Sequence, residues 1–347
     1  MAEITIKDIA RICGVGVSTV SRAINNHPDI SSETRKQIQQ VIAEYGYIPN
    51  NSARNLKRTE SNAVAILTKG IANPVFSQMY KVFDEKLKRN HLSMILQHVN
   101  HEEDEVAVAL ELIKEKRLKG IIFLGFNYQH LEGEIDKISV PFVLSTVGMI
   151  AEDPHLERYS HVTVDDKKES YKATQYLIER GHKDIAIILA EEQSSSVGKL
   201  RLDGYLQALQ DNGITVNPKL IGTVYDDMEH YSMENGYMTT KRLLRSGEKF
   251  TAVYATSDVF AVGVYRALME AGLRVPEDVS VMGYDGIEMG DYLYPKLTTM
   301  AQPVEKLALA TFELLHDLMD EQCTNKTLVF EGKLCEKESV KNLKEEM

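Results

Sequence analysis

From about residue 61 onward, short apolar runs alternate with amphipathic stretches of helical length, and no other feature of the chain restricts its fold as strongly. Candidate strands cover 63–67, 93–97, 120–124, 142–145, 161–164, 185–189, 220–223, 252–255 and 280–283. Runs that are apolar almost throughout suit strands buried on both faces, and their alternation with helices argues for parallel sheets covered on both sides. So many units in a 347-residue chain exceed one sheet domain, so two α/β lobes are expected. In open sheets of this kind ligands sit at the carboxyl ends of the strands, and the loops there are where a site is sought.

The first 48 residues read differently. Thr5 can cap a helix whose Ile6, Ile9, Ala10 and Cys13 share one face, with Asp8 at the third helical position and Gly14 at its end. Helical spacing resumes at Val17, Val20, Ala23 and Ile24, so two short helices are joined by a tight turn. Ser31 caps a third helix with Ile38, Val41, Ile42 and Tyr45 as its apolar stripe and Gly46 beyond it. The expected product is an all-α helix-turn-helix head over 1–48. The polar, basic segment 49–60 reads as a linker too short to be a stable helix alone.

The second helix presents Ser18, Ser21, Arg22 and Asn25 on its polar face. Hydroxyls and an amide can bond phosphates, and a guanidinium can fork onto O6 and N7 of guanine in the major groove. The bland alternative is a docking or dimerisation module whose polar face is merely solvated. Charge separates the two. The whole chain carries −11, which speaks against nucleic acid, but residues 1–58 hold eight basic side chains against five acidic ones. A head of +3 on a body of −14 localises any attraction to DNA.

Three dispersed cysteines, Cys13, Cys323 and Cys335, show no C-x-x-C spacing, so neither a disulfide framework nor a thiolate metal site is expected and a reducing cytoplasm suits them. Glu3, Lys7, Asp8 and Arg11 break up any apolar leader, and no later run approaches eighteen uncharged apolar residues, so neither export nor a membrane span is expected.

The amino-terminal segment resembles the DNA-binding head of the lactose/purine repressor (LacI/GalR) family of bacterial transcription regulators. The resemblance rests on Thr5, Thr19-Val20-Ser21-Arg22, the helix start at Ser31, Gly46-Tyr47-Ile48-Pro49-Asn50 and Ala53-Arg54-Asn55-Leu56, in that order and spacing. It implies that Val17, Ser18 and Arg22 read bases, and that Thr5, Ser21, Asn25, Tyr47 and Asn50 position phosphates. It also implies a hinge helix carrying Ala53, Arg54, Leu56 and Lys57 into the minor groove, where Leu56 wedges open a base step. An apolar wedge bends the duplex, and a marginal helix orders only on DNA beside a partner hinge. One departure is Gly16, where relatives usually carry a serine cap; glycine caps tolerably but cannot reach a phosphate.

The resemblance continues to about residue 340 through Asn73-Pro74-Val75-Phe76, Arg201-Leu202-Asp203-Gly204-Tyr205, Ser257-Asp258, Gly283-Tyr284-Asp285 and Leu297-Thr298-Thr299. It implies a two-lobe fold like that of periplasmic sugar-binding proteins within 61–347. Residues of about 61–160 and 291–320 would form one lobe, and 161–290 and 321–340 the other. It further implies that Arg201, Ser257 and Asp285 bind an effector, that Phe76 stacks on it and that Ser145 lines the first lobe. A carboxylate with a guanidinium suits vicinal hydroxyls, and an aromatic face suits a sugar ring, so a carbohydrate or related polar metabolite is expected. The alternative for the same residues is an Asp285–Arg201 salt bridge and a Phe76 that is simply core. Relatives often carry an acidic residue at the position of Ser145 and Asn at that of Ser257.

The stretch around His98, Asn100, His101 and Asp104 lacks metal-ligand spacing and reads as a helix start, and His182 as structural. No catalytic dyad has motif support, so neither enzymatic activity nor a cofactor is expected. The tail lacks heptads, which favours a homodimer over a coiled-coil tetramer. The expectation is therefore a cytoplasmic repressor that binds a pseudo-palindromic double-stranded DNA operator as a homodimer and responds to a small carbohydrate-like effector. The competing reading is a solute-binding or sugar-modifying protein on the same lobes.

Overall fold

A computed structural model of the chain describes residues 4–24, 27–47, 62–100, 103–126, 134–147, 158–190, 196–225 and 227–346. It forms two units, Met1–Ser61 and Asn62–Met347.

The first unit contains α1 (Ile6–Cys13), α2 (Val17–Ile24) and α3 (Ser32–Tyr45). At the start of α1 the Thr5 hydroxyl and backbone N–H both donate to Asp8 Oδ2, at 2.6 and 3.0 Å. Gly14 and Gly46 close α1 and α3 in the left-handed conformation, at φ 68° and 62°, where a side chain would be strained. Ile9, Val20, Ala23 and Ile38 are fully buried where the three helices meet. Each of the isoleucines and the valine removes enough apolar surface from water to contribute about 1.5–3 kcal/mol, which lets three short helices hold together.

The second unit contains two six-stranded sheets. In chain order its elements are β1 (Ala63–Thr68), α4 (Pro74–Arg89), β2 (Ser93–His98), α5 (Glu105–Lys116), β3 (Gly120–Leu124), β4 (Phe142–Ser145), β5 (Ser160–Val164) and α6 (Asp166–Glu179). Then come β6 (Ile185–Leu189), α7 (Val197–Asp211), β7 (Ile221–Thr223), α8 (Met233–Arg245), β8 (Ala252–Ala255), α9 (Asp258–Glu270) and β9 (Ser280–Asp285). The last are β10 (Thr298–Ala301), α10 (Val304–Met319), β11 (Thr327–Phe330) and β12 (Lys333–Cys335). The strand orders are β11-β5-β4-β3-β1-β2 and β12-β10-β9-β8-β6-β7. All pairings are parallel except β10 with β12. Within β1, Val64 and Ile66 face the layer formed with α4 and α10, while Ala63, Ala65 and Leu67 face the layer formed with α5. This two-residue alternation, repeated through β3, is what a sheet buried on both sides requires.

The lobe boundaries differ from those expected. Strand β5 belongs to lobe one, because Val143 and Leu144 pair with Ser160 and His161. Strand β10, expected in lobe one, lies in lobe two beside β9, with Thr298 opposite Met282. Strand β11 returns to lobe one beside β5, with Thr327 opposite His161. The chain therefore crosses between lobes after Val164, after Ala301 and after Phe330. The expected strand start at Leu220 also moves, because Pro218 opens a 3-10 turn over Pro218–Leu220.

Candidate functional site

Helix starts gather at the carboxyl ends of the strands. Asn73, Asp104, Asp165, Ser196 and Ser257 each accept a backbone N–H of the helix they cap, so the capping residues sit in the strand-to-helix loops. Within the second unit these loops enclose a cavity of about 670 Å3 lined from both lobes, within the range of small-molecule sites.

Asp285, at the end of β9, lines this cavity and adopts φ 116°, a conformation that costs a residue with a side chain of order 1–3 kcal/mol. Its surroundings hold it there. Oδ2 accepts from the Ser257 hydroxyl at 2.7 Å, and Oδ1 accepts from Gln302 Nε2 at 2.8 Å. A second carboxylate, Asp258 at the start of α9, fixes the main chain of the same turn. Asp258 Oδ2 accepts the N–H groups of Gly286 and Ile287 at 2.7 and 2.9 Å, and Oδ1 accepts the Thr299 hydroxyl at 2.7 Å. Gly286 has φ 78°, and a Cβ there would lie 2.4 Å from that of Ala301. Burial pushes the Asp258 carboxyl up to about 7, assisted by the charge of Asp285 and opposed by these hydrogen bonds.

Arg201, in the first turns of α7, is 5% exposed. Its Nε donates to Asp166 Oδ1 at 2.9 Å, its Nη1 donates to the Thr256 carbonyl at 2.6 Å, and the guanidinium lies 3.8 Å from the centre of the Tyr284 ring. Nη1 is also 3.9 Å from Asp285 Oδ1. Burial pushes the Asp166 and Asp285 carboxyls up, while the guanidinium opposes this. Burial likewise pulls Arg201 down, but Asp166, Tyr284 and Asp285 together carry it well above its usual value, so the cation is secure. Salt bridge and cavity wall are thus one arrangement rather than alternatives.

Phe76 both packs in the core cluster of α4 and reaches the cavity. Gly125, at φ 71°, lies beside the ring, and a Cβ there would meet it at an ordinary contact distance of 3.5 Å. Two expected contacts are corrected. The Ser145 hydroxyl is buried against that of Thr311 at 2.8 Å and does not line the cavity. The strand ends one residue later at Thr146, φ 56°, which does. Ser257 also lies behind the wall, spent on the Asp285 carboxylate. Sequence reasoning missed Asp166 and Gln302, which sit at lobe crossings, and the buried pair Lys69–Glu105 at 2.9 Å beside the carboxyl end of β1.

In the first unit, α2 turns Val20 and Ala23 into the core and leaves Val17, Ser18 and Arg22 exposed on the opposite face, with Ser21 half-buried. Thr5 is exposed. Tyr47, expected beside a phosphate, is 9% exposed and packs in the helix cluster. Asn25, Asn50, Ala53, Arg54, Leu56 and Lys57 lie outside the described residues. Among the described residues no cluster of three metal-ligating side chains occurs, and no helix is long and apolar enough to cross a membrane. His182 is buried, with Nδ1 2.9 Å from Thr251 Oγ1 and Nε2 3.1 Å from the Lys341 carbonyl.

Residues 5–50 match the family described as bacterial regulatory proteins, lacI family, and residues 174–340 match the periplasmic binding protein-like domain. The HTH-type transcriptional regulator MalR of Clostridium butyricum is 40% identical over 340 residues, covering 97% of this chain and 99% of that protein. The ribose operon repressor of Haemophilus influenzae is 32% identical, covering 98% and 99%. Among solved structures, the lac repressor dimer bound to operator and the anti-inducer ONPF aligns with a TM-score of 0.78 at 25% identity, covering 98% of this chain and 100% of that one. The complex of the transcriptional regulator CelR with cellobiose aligns with a TM-score of 0.71 at 28% identity, covering 97% and 99%.

Proposed function

This chain belongs to the lacI family of bacterial regulatory proteins, and from that premise we propose that it is a cytoplasmic transcriptional repressor whose operator binding is switched by a carbohydrate-like effector. It is a DNA-binding regulator rather than an enzyme, as its relatives are. The homodimer places two heads on a pseudo-palindromic operator. Val17, Ser18 and Arg22 meet base edges, and Thr5, Ser21, Asn25 and Asn50 meet phosphates. The segment with Ala53, Arg54, Leu56 and Lys57 acts in the minor groove. The effector lies between the lobes, against the face of Phe76 and the Arg201–Asp285 pair, where charge-assisted bonds to hydroxyls are available. Ligand shifts the population of lobe arrangements, and the dimer transmits that shift to the two hinges.

The observation that carries the DNA reading is the exposed Val17–Ser18–Arg22 face of a helix whose opposite side is fully buried. Selection from a random double-stranded DNA pool tests it. The unmodified protein yields a two-fold symmetric consensus, and Arg22→Ala relaxes one base position in each half-site. The same consensus from both proteins would remove Arg22 from base reading.

A further inference from the structure

We propose that the cleft is built for an uncharged oligosaccharide of at least two rings, lying across the strand ends from the lobe crossings toward the outer sheet edges. This rests on the carbohydrate reading above and adds length and charge to it. In lobe one the lining residues include Val164 at β5, Thr146 after β4, Gly125 after β3, Lys69 after β1 and Asn100 after β2. These are five neighbouring strands of one sheet, and four gaps of about 4.8 Å make the lined edge about 19 Å long. In lobe two the lining runs from Asp285 at β9 to Thr223 at β7, past β8 and β6, three gaps or about 14 Å. A single pyranose, built from bonds of about 1.5 Å, spans about 6 Å between its outermost oxygens and about 9 Å with their van der Waals shell. One ring therefore covers two or three strand ends and leaves the others free.

The chemistry is distributed along the same axis. The end near the crossings holds Asp166, Arg201, Asp285 and Gln302, and Phe76 stands over Gly125 in the middle of the sheet. The outer end offers His98 at the end of β2 and Asn100 after it. A second polar surface at that distance suits a second sugar ring. The charge pattern selects against anions. Lys69 is held by the buried Glu105, Arg201 lies between Asp166 and Asp285, and the exposed Glu229 adds negative charge at the outer end. Among the described lining residues, a phosphate on the ligand meets only lysine and arginine cations already committed to buried carboxylates.

The test is calorimetric titration of the full chain with glucose, galactose, maltose, cellobiose, lactose, maltotriose, raffinose and glucose 6-phosphate. At least one di- or trisaccharide is expected to bind about tenfold or more tightly than its monosaccharide, and glucose 6-phosphate less tightly than glucose. The double variant His98→Ala/Asn100→Ala loses most of the gain from length and keeps monosaccharide affinity within about twofold. Asp285→Ala loses both. Monosaccharides binding as tightly as every oligomer, or the sugar phosphate binding best, would overturn the inference while leaving a carbohydrate effector in place. Failure of every sugar to bind would overturn the carbohydrate reading and this inference with it.

Discussion

Replacing Asp258 by alanine and by asparagine separates what its hydrogen bonds contribute from what its charge costs. Alanine leaves the buried N–H of Ile287 and the partly buried N–H of Gly286, now bonded at 2.9 and 2.7 Å, without an acceptor. At about 1–3 kcal/mol for an orphaned buried donor, and less for one that water can reach, the loss is about 1.5–4 kcal/mol, and the strained backbone at Asp285 is released. Asparagine can keep its amide oxygen toward the two N–H groups and turn its NH2 toward Thr299, whose hydroxyl then accepts. It costs less than about 1.5 kcal/mol. The two variants also differ from the parent in pH dependence. The carboxyl is held at about 7 in the folded chain against an ordinary 3.8, so folding takes up a proton between those values and stability falls as pH rises toward 7. From pH 5 to pH 8 the parent loses about 3 kcal/mol relative to Asp258→Asn, which has no proton to release. Urea unfolding at pH 5, 6, 7 and 8, followed by circular dichroism and by tyrosine fluorescence to check for one transition, measures both quantities. An alanine variant within about 1 kcal/mol of the parent, or a parent-minus-asparagine difference that is flat with pH, refutes the reasoning.

Two further outcomes concern the head and hinge. Gly16→Ser should tighten operator binding about three- to tenfold through one added hydroxyl–phosphate bond. Its Cβ would meet Ser18 Oγ at an ordinary 3.5 Å, and fluorescence anisotropy at fixed salt reads the change. Leu56→Ala should weaken specific operator binding by about tenfold or more while sugar affinity, measured by calorimetry, stays within about twofold. Unchanged operator affinity removes Leu56 from the wedge.

Local signals carried much of this fold into the sequence. The helical spacing in the head and the apolar runs of β1, β3, β4, β6 and β8 declare themselves because each is buried on a regular face. What escaped was set by distant partners. Strands β10, β11 and β12 are short and carry only partial apolar patterns. They are fixed by pairing with β9, β5 and β10, so the lobe boundaries follow pairing rather than pattern. The site divides in the same way. Phe76, Arg201 and Asp285 were legible through family-like motifs and do line one cavity. Ser145 and Ser257 lie one layer behind the cavity wall, and sequence does not show whether a strand ends at Ser145 or turns out at Thr146. Asp166 reads as an ordinary acidic helix start, and Gln302 follows a strand that the pattern concealed. Their roles emerge only where the crossings meet.

Regulation by an effector requires coupling between cleft and head. Operator binding by the full chain, measured by fluorescence anisotropy with and without a saturating sugar from the calorimetric panel, tests that coupling directly. The predicted result is a shift in operator affinity of about tenfold or more on adding the sugar, absent in Asp285→Ala, whose operator affinity without sugar remains that of the parent. A sugar that calorimetry shows bound, yet leaves operator affinity unchanged, contradicts the account.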